Sequence, residues 1–100
     1  MFSKKIVIVT GGGSGIGKAI SKEFSNKNAI VCILDKNIEN AEKTSNECIN
    51  KSYFFELDVT DKKQIINVFD EIVKKIGNYE ILISNAGISS MNYIDDLTEE

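Results

Sequence analysis

The 100-residue sequence carries 42% hydrophobic and 27% charged residues and a formal charge of −3, the balance of an ordinary globular domain rather than of a disordered or fibrous chain. One domain, or part of one, fits this length. The longest apolar runs, Ile6–Val9 and Ala29–Leu34, fall far short of the roughly 20 residues that cross a bilayer, and scattered lysines without a single arginine form no basic face of the kind nucleic acids select.

In chain order, Met1-Phe2-Ser3-Lys4-Lys5 leads into an apolar run too short for a signal-peptide core and followed by no small-residue cleavage site, which points to the cytoplasm. Ile6–Val9 is apolar at every position, the pattern of a strand buried on both faces of a parallel sheet. Ile16, Ala19, Ile20 and Phe24 follow at spacings of three and four, predicting a helix with these residues as its inner stripe. Ile30–Leu34 reads as a second buried strand, and Ile38, Ala41, Ser45, Cys48 and Ile49 as a weaker helical stripe. Tyr53–Leu57 is interrupted by Glu56 and preceded by Lys51 and Ser52, which suits a strand nearer the sheet margin. The third helix has the broadest apolar face, Ile65, Ile66, Phe69, Ile72, Val73 and Ile76; Thr60 or Asp61 caps its start, and Lys74, Lys75 and Gly77 mark its end. Ile81–Ile83 is the fourth strand.

Strands alternating with crossover helices imply an α/β domain with a doubly wound parallel sheet. Cys32 and Cys48 sit within regular apolar patterns and read as reduced core thiols rather than a disulfide or metal pair, and with no histidine in the chain no metal site is assigned. Leu97-Thr98-Glu99-Glu100 has the makings of a helix N-terminus, and Ile81–Ile83 has no later strand for its other edge. Residues 1–100 are therefore expected to be the front portion of a longer protein, interrupted at the start of a helix near Thr98.

The chemistry is carried by Thr10-Gly11-Gly12-Gly13-Ser14-Gly15-Ile16-Gly17, placed between the first strand and the first helix. A pyrophosphate approaches backbone only where side chains are absent, and a helix start offers unpaired N–H groups and the positive end of the dipole. Two chemistries compete for this loop. Gly12–Lys18 satisfies Gly-x-x-x-x-Gly-Lys, the opening of a phosphate-binding P-loop, but the next position is Ala19 where a magnesium-binding hydroxyl is required. The dinucleotide reading needs an acid at the end of the second strand, where a ribose hydroxyl would lie, and Asp35 stands there. The bland alternatives are a helix cap or a solvated loop acid for Asp35, a helix cap for Asp58, and a strand-end turn for Asn85-Ala86-Gly87.

With these residues in place, the sequence resembles the short-chain dehydrogenases/reductases. Thr10, Gly11, Gly15 and Gly17 match the family's Thr-Gly-x-x-x-Gly-x-Gly; Asp35 ends the second strand, Asp58-Val59 the third, and Ser84-Asn85-Ala86-Gly87 the fourth, where the family usually has Asn-Asn-Ala-Gly. The resemblance spans the whole chain and implies a Rossmann-like sheet whose first four strands run in the order 3-2-1-4, with helices on both faces. It also implies cofactor-binding roles. Gly11, Gly15 and Gly17 shape the loop, the Ile16 backbone and Ser14 side chain hold phosphates and the adjoining ribose, and Asp35 holds ribose hydroxyls. Asp58 takes the adenine amino group, Val59 the ring, and Asn85, Ala86 and Gly87 flank the ribose.

The same resemblance implies hydride transfer between a nicotinamide cofactor and an alcohol or ketone in a homo-oligomeric parent protein. Asp35 favours NAD over NADP. The family's catalytic serine and its tyrosine and lysine four positions apart have no counterpart here, since Tyr53, Tyr79 and Tyr93 are followed at that spacing by Leu57, Ile83 and Leu97. No catalytic residue is assigned, and these 100 residues alone are expected to be inactive. A non-catalytic dinucleotide-binding module and, more distantly, a P-loop protein are the competing readings.

Overall fold

The computed structural model describes residues 2–85, so Ala86, Gly87, Tyr93 and the helix start expected near Thr98 lie outside the described residues. The elements follow the expected order: β1 (Ile6–Thr10), α1 (Gly15–Asn26), β2 (Ile30–Asp35), α2 (Ile38–Glu47), β3 (Ser52–Glu56), α3 (Lys62–Lys75) and β4 (Ile81–Ser84). The strands form one sheet in the order β3-β2-β1-β4. Every pairing is parallel, with Val7 opposite Val31 and Ile81, and Cys32 opposite Tyr53.

Continuous apolarity in β1 and β2 has its reason in this arrangement. Ile6, Ile8, Cys32 and Leu34 face α3, whose Ile65, Phe69 and Ile72 complete one core. Val7, Val9, Val31 and Ile33 face the other way, toward Ala41 of α2 and toward Ile20 and Phe24 of α1. The two central strands thus bury both faces, while β3 lies at an edge and leaves Glu56 exposed, as its interrupted pattern suggests. Among the described residues no helix is long and apolar enough to cross a membrane.

The helices keep only part of their predicted inner faces. In α1 the fully enclosed residues are Gly17, Ser21 and Ser25, whereas Ala19 is exposed and Ile16 is 72% exposed. Ile20 and Phe24 pack only from the side. Apolar spacing marks a helical stripe, but the distance of closest approach selects the inner one, and small residues let the helix axis lie nearer the sheet. The buried hydroxyls of α1 are satisfied: Ser21 Oγ donates to the Gly17 carbonyl at 2.8 Å, and Ser25 Oγ accepts from the Asn50 amide at 3.0 Å. Helix α2 buries Ala41 and Thr44 and stops before Cys48, leaving Ile49 73% exposed. In α3 the inner face is Ile65, Phe69 and Ile72, with Ile66 and Val73 on its exposed flank. Asp61, not Thr60, caps α3, its Oδ1 accepting from the amides of Lys63 and Gln64.

Both cysteines are free thiols. Burial pushes the Cys32 thiol up to about 12, and burial also raises Cys48 although hydrogen bonds to Ser25 and Ser52 oppose the shift. The thiolate is the reactive form, so Cys32 should resist alkylation at pH 8 until the protein unfolds, which mass spectrometry of iodoacetamide-treated native and denatured protein reads directly. Truncating Ile65 or Ile72 to alanine should destabilise the fold by about 2–5 kcal/mol in denaturant titrations, because each is wholly enclosed between α3 and the sheet.

Candidate functional site

The carboxyl ends of parallel strands share one rim, and the glycine loop, Asp35, Asp58-Val59 and Asn85 all lie at or just beyond such ends. The chain leaves β1 through Gly11, whose φ of 66° lies in the left-handed region. Gly11 and Gly12 then donate their amides to the Leu34 carbonyl at 2.7 and 3.2 Å, and Gly13 donates to Asp35 Oδ2 at 2.9 Å. The loop is thereby pinned to the end of β2. From Ser14 the chain turns away into α1, where the Lys18 amide makes a helical bond to the Ser14 carbonyl at 3.2 Å. The amides before it have no intrahelical acceptor.

This helix start is open and carries free donors. Ser14 is exposed at the N-cap, and its side chain makes no capping bond, which leaves the hydroxyl available. Gly15 has φ 56°, and a Cβ built there would meet nothing within 4 Å, so the space in front of the first turn is open. Gly17 is the opposite case: a Cβ there would press into the Gly11 carbonyl and lie 2.8 Å from Asn85 Nδ2. One glycine leaves room outside the protein and the other permits contact inside it. With the dipole and unpaired amides directed at the same opening, the site fits a phosphate group.

Thr10 closes the loop onto β4. Its Oγ1 donates to the Ile83 carbonyl at 3.4 Å and accepts from the Asn85 amide at 3.0 Å, while Asn85 Nδ2 donates to the Gly11 carbonyl at 3.4 Å. Sequence reasoning gave no role to this threonine hydroxyl or to Gly13; the signal was the run itself, a hydroxyl residue directly before three glycines.

On the other side of the loop, Asp35 is half-buried and its Oδ1 accepts from the Asn37 amide at 2.9 Å. It does not cap α2; Asn37 does, accepting from the Asn40 amide. Asp35, Lys36, Asn37, Ile38 and Glu39 line an open cleft of about 470 Å³. Asp58 stands across from Lys36, with Oδ2 4.0 Å from Nζ. Its Oδ1 accepts from the Thr60 hydroxyl at 2.6 Å and the Thr60 amide at 2.9 Å, and these bonds, the hydroxyl's first, hold its carboxyl below the ordinary range. Asp58 therefore shapes the turn ahead of Asp61 rather than capping α3. Val59 is half-buried against the core beneath α3.

Lys18 turns out of the site. Its Nζ pairs with Glu47 Oε2 at 2.9 Å, and Lys22 takes the other oxygen at 3.1 Å, which keeps the Glu47 carboxyl low. A P-loop lysine must reach the phosphates, so this pairing with α2, together with Ala19, weighs against the P-loop reading.

Residues 5–100 match the profile of the short chain dehydrogenase family. The chain is 38% identical over 100 residues to elsinochrome reductase 1 of Elsinoe fawcettii, covering 96% of this chain and 38% of that protein. It is 34% identical over 96 residues to an NAD-dependent glycerol dehydrogenase of Listeria innocua, again covering 96% of this chain and 38% of the relative. The fold overlays the crystal structure of a short chain dehydrogenase from Bacillus anthracis with a TM-score of 0.88 at 24% identity, over 95% of this chain and 48% of that one. The chain thus spans less than half the length of each of these proteins.

Two substitutions separate the glycines. Gly17→Ala should displace the first turn of α1 and lower the melting temperature, whereas Gly15→Ala, which meets no neighbour but must adopt a left-handed φ, should cost about 1 kcal/mol of stability. Equal melting temperatures for the two variants would contradict the contact between Gly17 and Gly11. Lys18→Ala should leave nucleotide affinity within about two-fold by calorimetry, since the side chain is committed to Glu47; a large loss of ATP binding would restore the P-loop.

Proposed function

The chain belongs to the short chain dehydrogenase family, and from that premise we propose that it is the cofactor-binding part of an oxidoreductase moving hydride between a nicotinamide dinucleotide and an alcohol or carbonyl substrate. The observation that carries the reading is the pairing of an open, amide-rich helix start at Ser14–Gly17 with an acid, Asp35, on the neighbouring strand end. When bound, the dinucleotide supplies the hydride acceptor or donor. The chain's own residues bind and orient it. Amides of the loop end and first turn, Ile16 foremost, and the Ser14 hydroxyl hold phosphate; Asp35 accepts from ribose hydroxyls, and Asp58 accepts from the adenine amino group beside the Val59 backbone. Asn85, with Ala86 and Gly87, borders the second ribose.

The preferred cofactor in this proposal is NAD. A carboxylate about 4 Å from a 2′-phosphate meets like charge at a cost of roughly 1–4 kcal/mol between water-like and surface dielectrics, about five-fold to several-hundred-fold in affinity. Lys36 opposes this, but its side chain is 81% exposed and its ammonium leans toward Asp58, so screening limits its effect. The name of the Listeria relative, an NAD-dependent enzyme, supports the same preference. Affinities of the intact protein for NAD and NADP should differ by at least five-fold in favour of NAD; a preference for NADP removes Asp35 from this role.

No tyrosine of the chain has a lysine four places on, and a tyrosine works as a general acid or base near neutrality only when a neighbour lowers its pKa from about 10. Burial raises Tyr79 instead. Residues 1–100 expressed alone are therefore expected to reduce no ketone and oxidise no alcohol, as followed by absorbance of the reduced cofactor. Turnover by this piece, or nucleotide binding without turnover in the intact protein, would replace the proposal, the latter with a non-catalytic binding module.

A further inference from the structure

Three consecutive amides of the glycine loop are tied to the end of β2, but by different kinds of group. Gly11 and Gly12 reach the backbone carbonyl of Leu34, whereas Gly13 reaches a side chain, Oδ2 of Asp35, at 2.9 Å. The other carboxylate oxygen accepts from the Asn37 amide, and Asn37 in turn caps α2. Asp35 is thus a strut between the loop and the turn into α2. The space around it is closed: a Cβ at Gly13 would lie 2.7 Å from Oδ2 and 2.8 Å from the Asn40 Cβ. Backbone and carboxylate meet where no additional side chain fits.

We propose that Asp35 is a positioning residue for the phosphate-facing loop, in addition to the ribose contact assigned above, on which this inference rests only for the identity of the ligand. Gly13 directly precedes Ser14, the N-cap of α1, so the bond to Asp35 sets where the helix's open amides begin. Each carboxylate oxygen has two acceptor directions, which lets the Gly13 amide and a ribose hydroxyl share Asp35. Ribose recognition and phosphate grip are therefore coupled through one side chain. Removing the carboxylate relieves repulsion of a 2′-phosphate but also releases the loop that both NAD and NADP need, so charge removal alone does not convert the site to NADP.

The test compares ADP with 2′,3′-dideoxy-ADP, which keeps the phosphates and lacks the hydroxyls that Asp35 would bind. Calorimetry on the intact protein covers wild type, Asp35→Asn, Asp35→Ala and Gly13→Ala, with hydrogen exchange of the Gly13 amide followed by NMR. Dideoxy-ADP should bind Asp35→Ala and Gly13→Ala about ten-fold more weakly than wild type, the usual scale for losing a hydrogen bond to a charged group. Asp35→Asn, whose single amide oxygen can still accept from Gly13 while its NH2 faces the Asn37 amide, should recover part of that loss, and Gly13 should exchange faster in Asp35→Ala. If Asp35→Ala weakens ADP but leaves dideoxy-ADP unchanged, or if Gly13 exchange does not change, the positioning role is overturned. Should Asp35→Ala fail to fold, the contrast between Asp35→Asn and Gly13→Ala decides in the same way. Equal binding of ADP and dideoxy-ADP by wild type would instead remove the ribose contact. Absence of ADP binding would remove the nucleotide reading, and in either case Gly13 exchange still decides the positioning role.

Discussion

The contact between Gly17 in the first turn of α1 and the carbonyl of Gly11 at the end of β1 governs the rest of the molecule. A side chain at Gly17 would hold the helix off the sheet, and with it the open amides of the first turn. Ser21 and Ser25 continue this near face along α1, each with its hydroxyl bonded. Close packing of polar but small residues is favourable only because those bonds are made, since an unpaired buried hydroxyl costs on the order of 1–3 kcal/mol. Asn85 occupies the same junction from β4 and bonds the same Gly11 carbonyl. Loop, helix and two strands are consequently one mechanical unit.

Charge on the rim is arranged so that backbone, not lysine, faces the opening in front of α1. Glu47 draws Lys18 and Lys22 onto the flank between α1 and α2. Lys36 leans toward Asp58, and Asp35 is committed to the Gly13 and Asn37 amides. An anion-binding site made of amides and a dipole needs no cation within the loop, and a neighbouring acid is tolerable there because its two oxygens are directed at N–H donors. This separation supports a ligand with phosphates at one end and hydroxyl or amino groups at the other.

The matched relatives are more than twice as long as this chain, and the groups that act on substrate in the proposed reaction have no counterpart among these residues. The division is physically sensible. Binding a dinucleotide needs strand ends, a helix start and a few acids, all of which this sheet supplies, whereas proton transfer needs a perturbed side chain beside the reacting atoms. Tyr79, whose hydroxyl burial raises, packs edge-on against Phe69 of α3, where it serves the core.

Element order, the parallel sheet, the position of the loop and the acids at the strand ends were all legible in the sequence, because they depend on local signals: continuous apolar runs, helical spacing, and glycines at a strand-to-helix turn. The family resemblance added the strand order. The inner faces of the helices were legible only in part: Ala41, Ile65, Phe69 and Ile72 are buried as their spacing predicts, but the inner face of α1 is not the predicted one. Ile16 and Ala19 obey the helical period as well as Ile20 and Phe24 do, and the choice of Gly17, Ser21 and Ser25 arises from how near α1 must lie to β1, a distance that no spacing encodes. The same holds for Ile66, which shares the period of α3 yet lies 45% exposed. The destinations of side chains across the rim were equally hidden: Lys18 fits a phosphate-binding motif until α2 brings Glu47 beside it, and Asp35 reads as a ribose ligand with no tie to the loop until the loop folds back to place Gly13 against it. Local pattern determines which elements form. Packing them at fixed distances determines which of their residues meet.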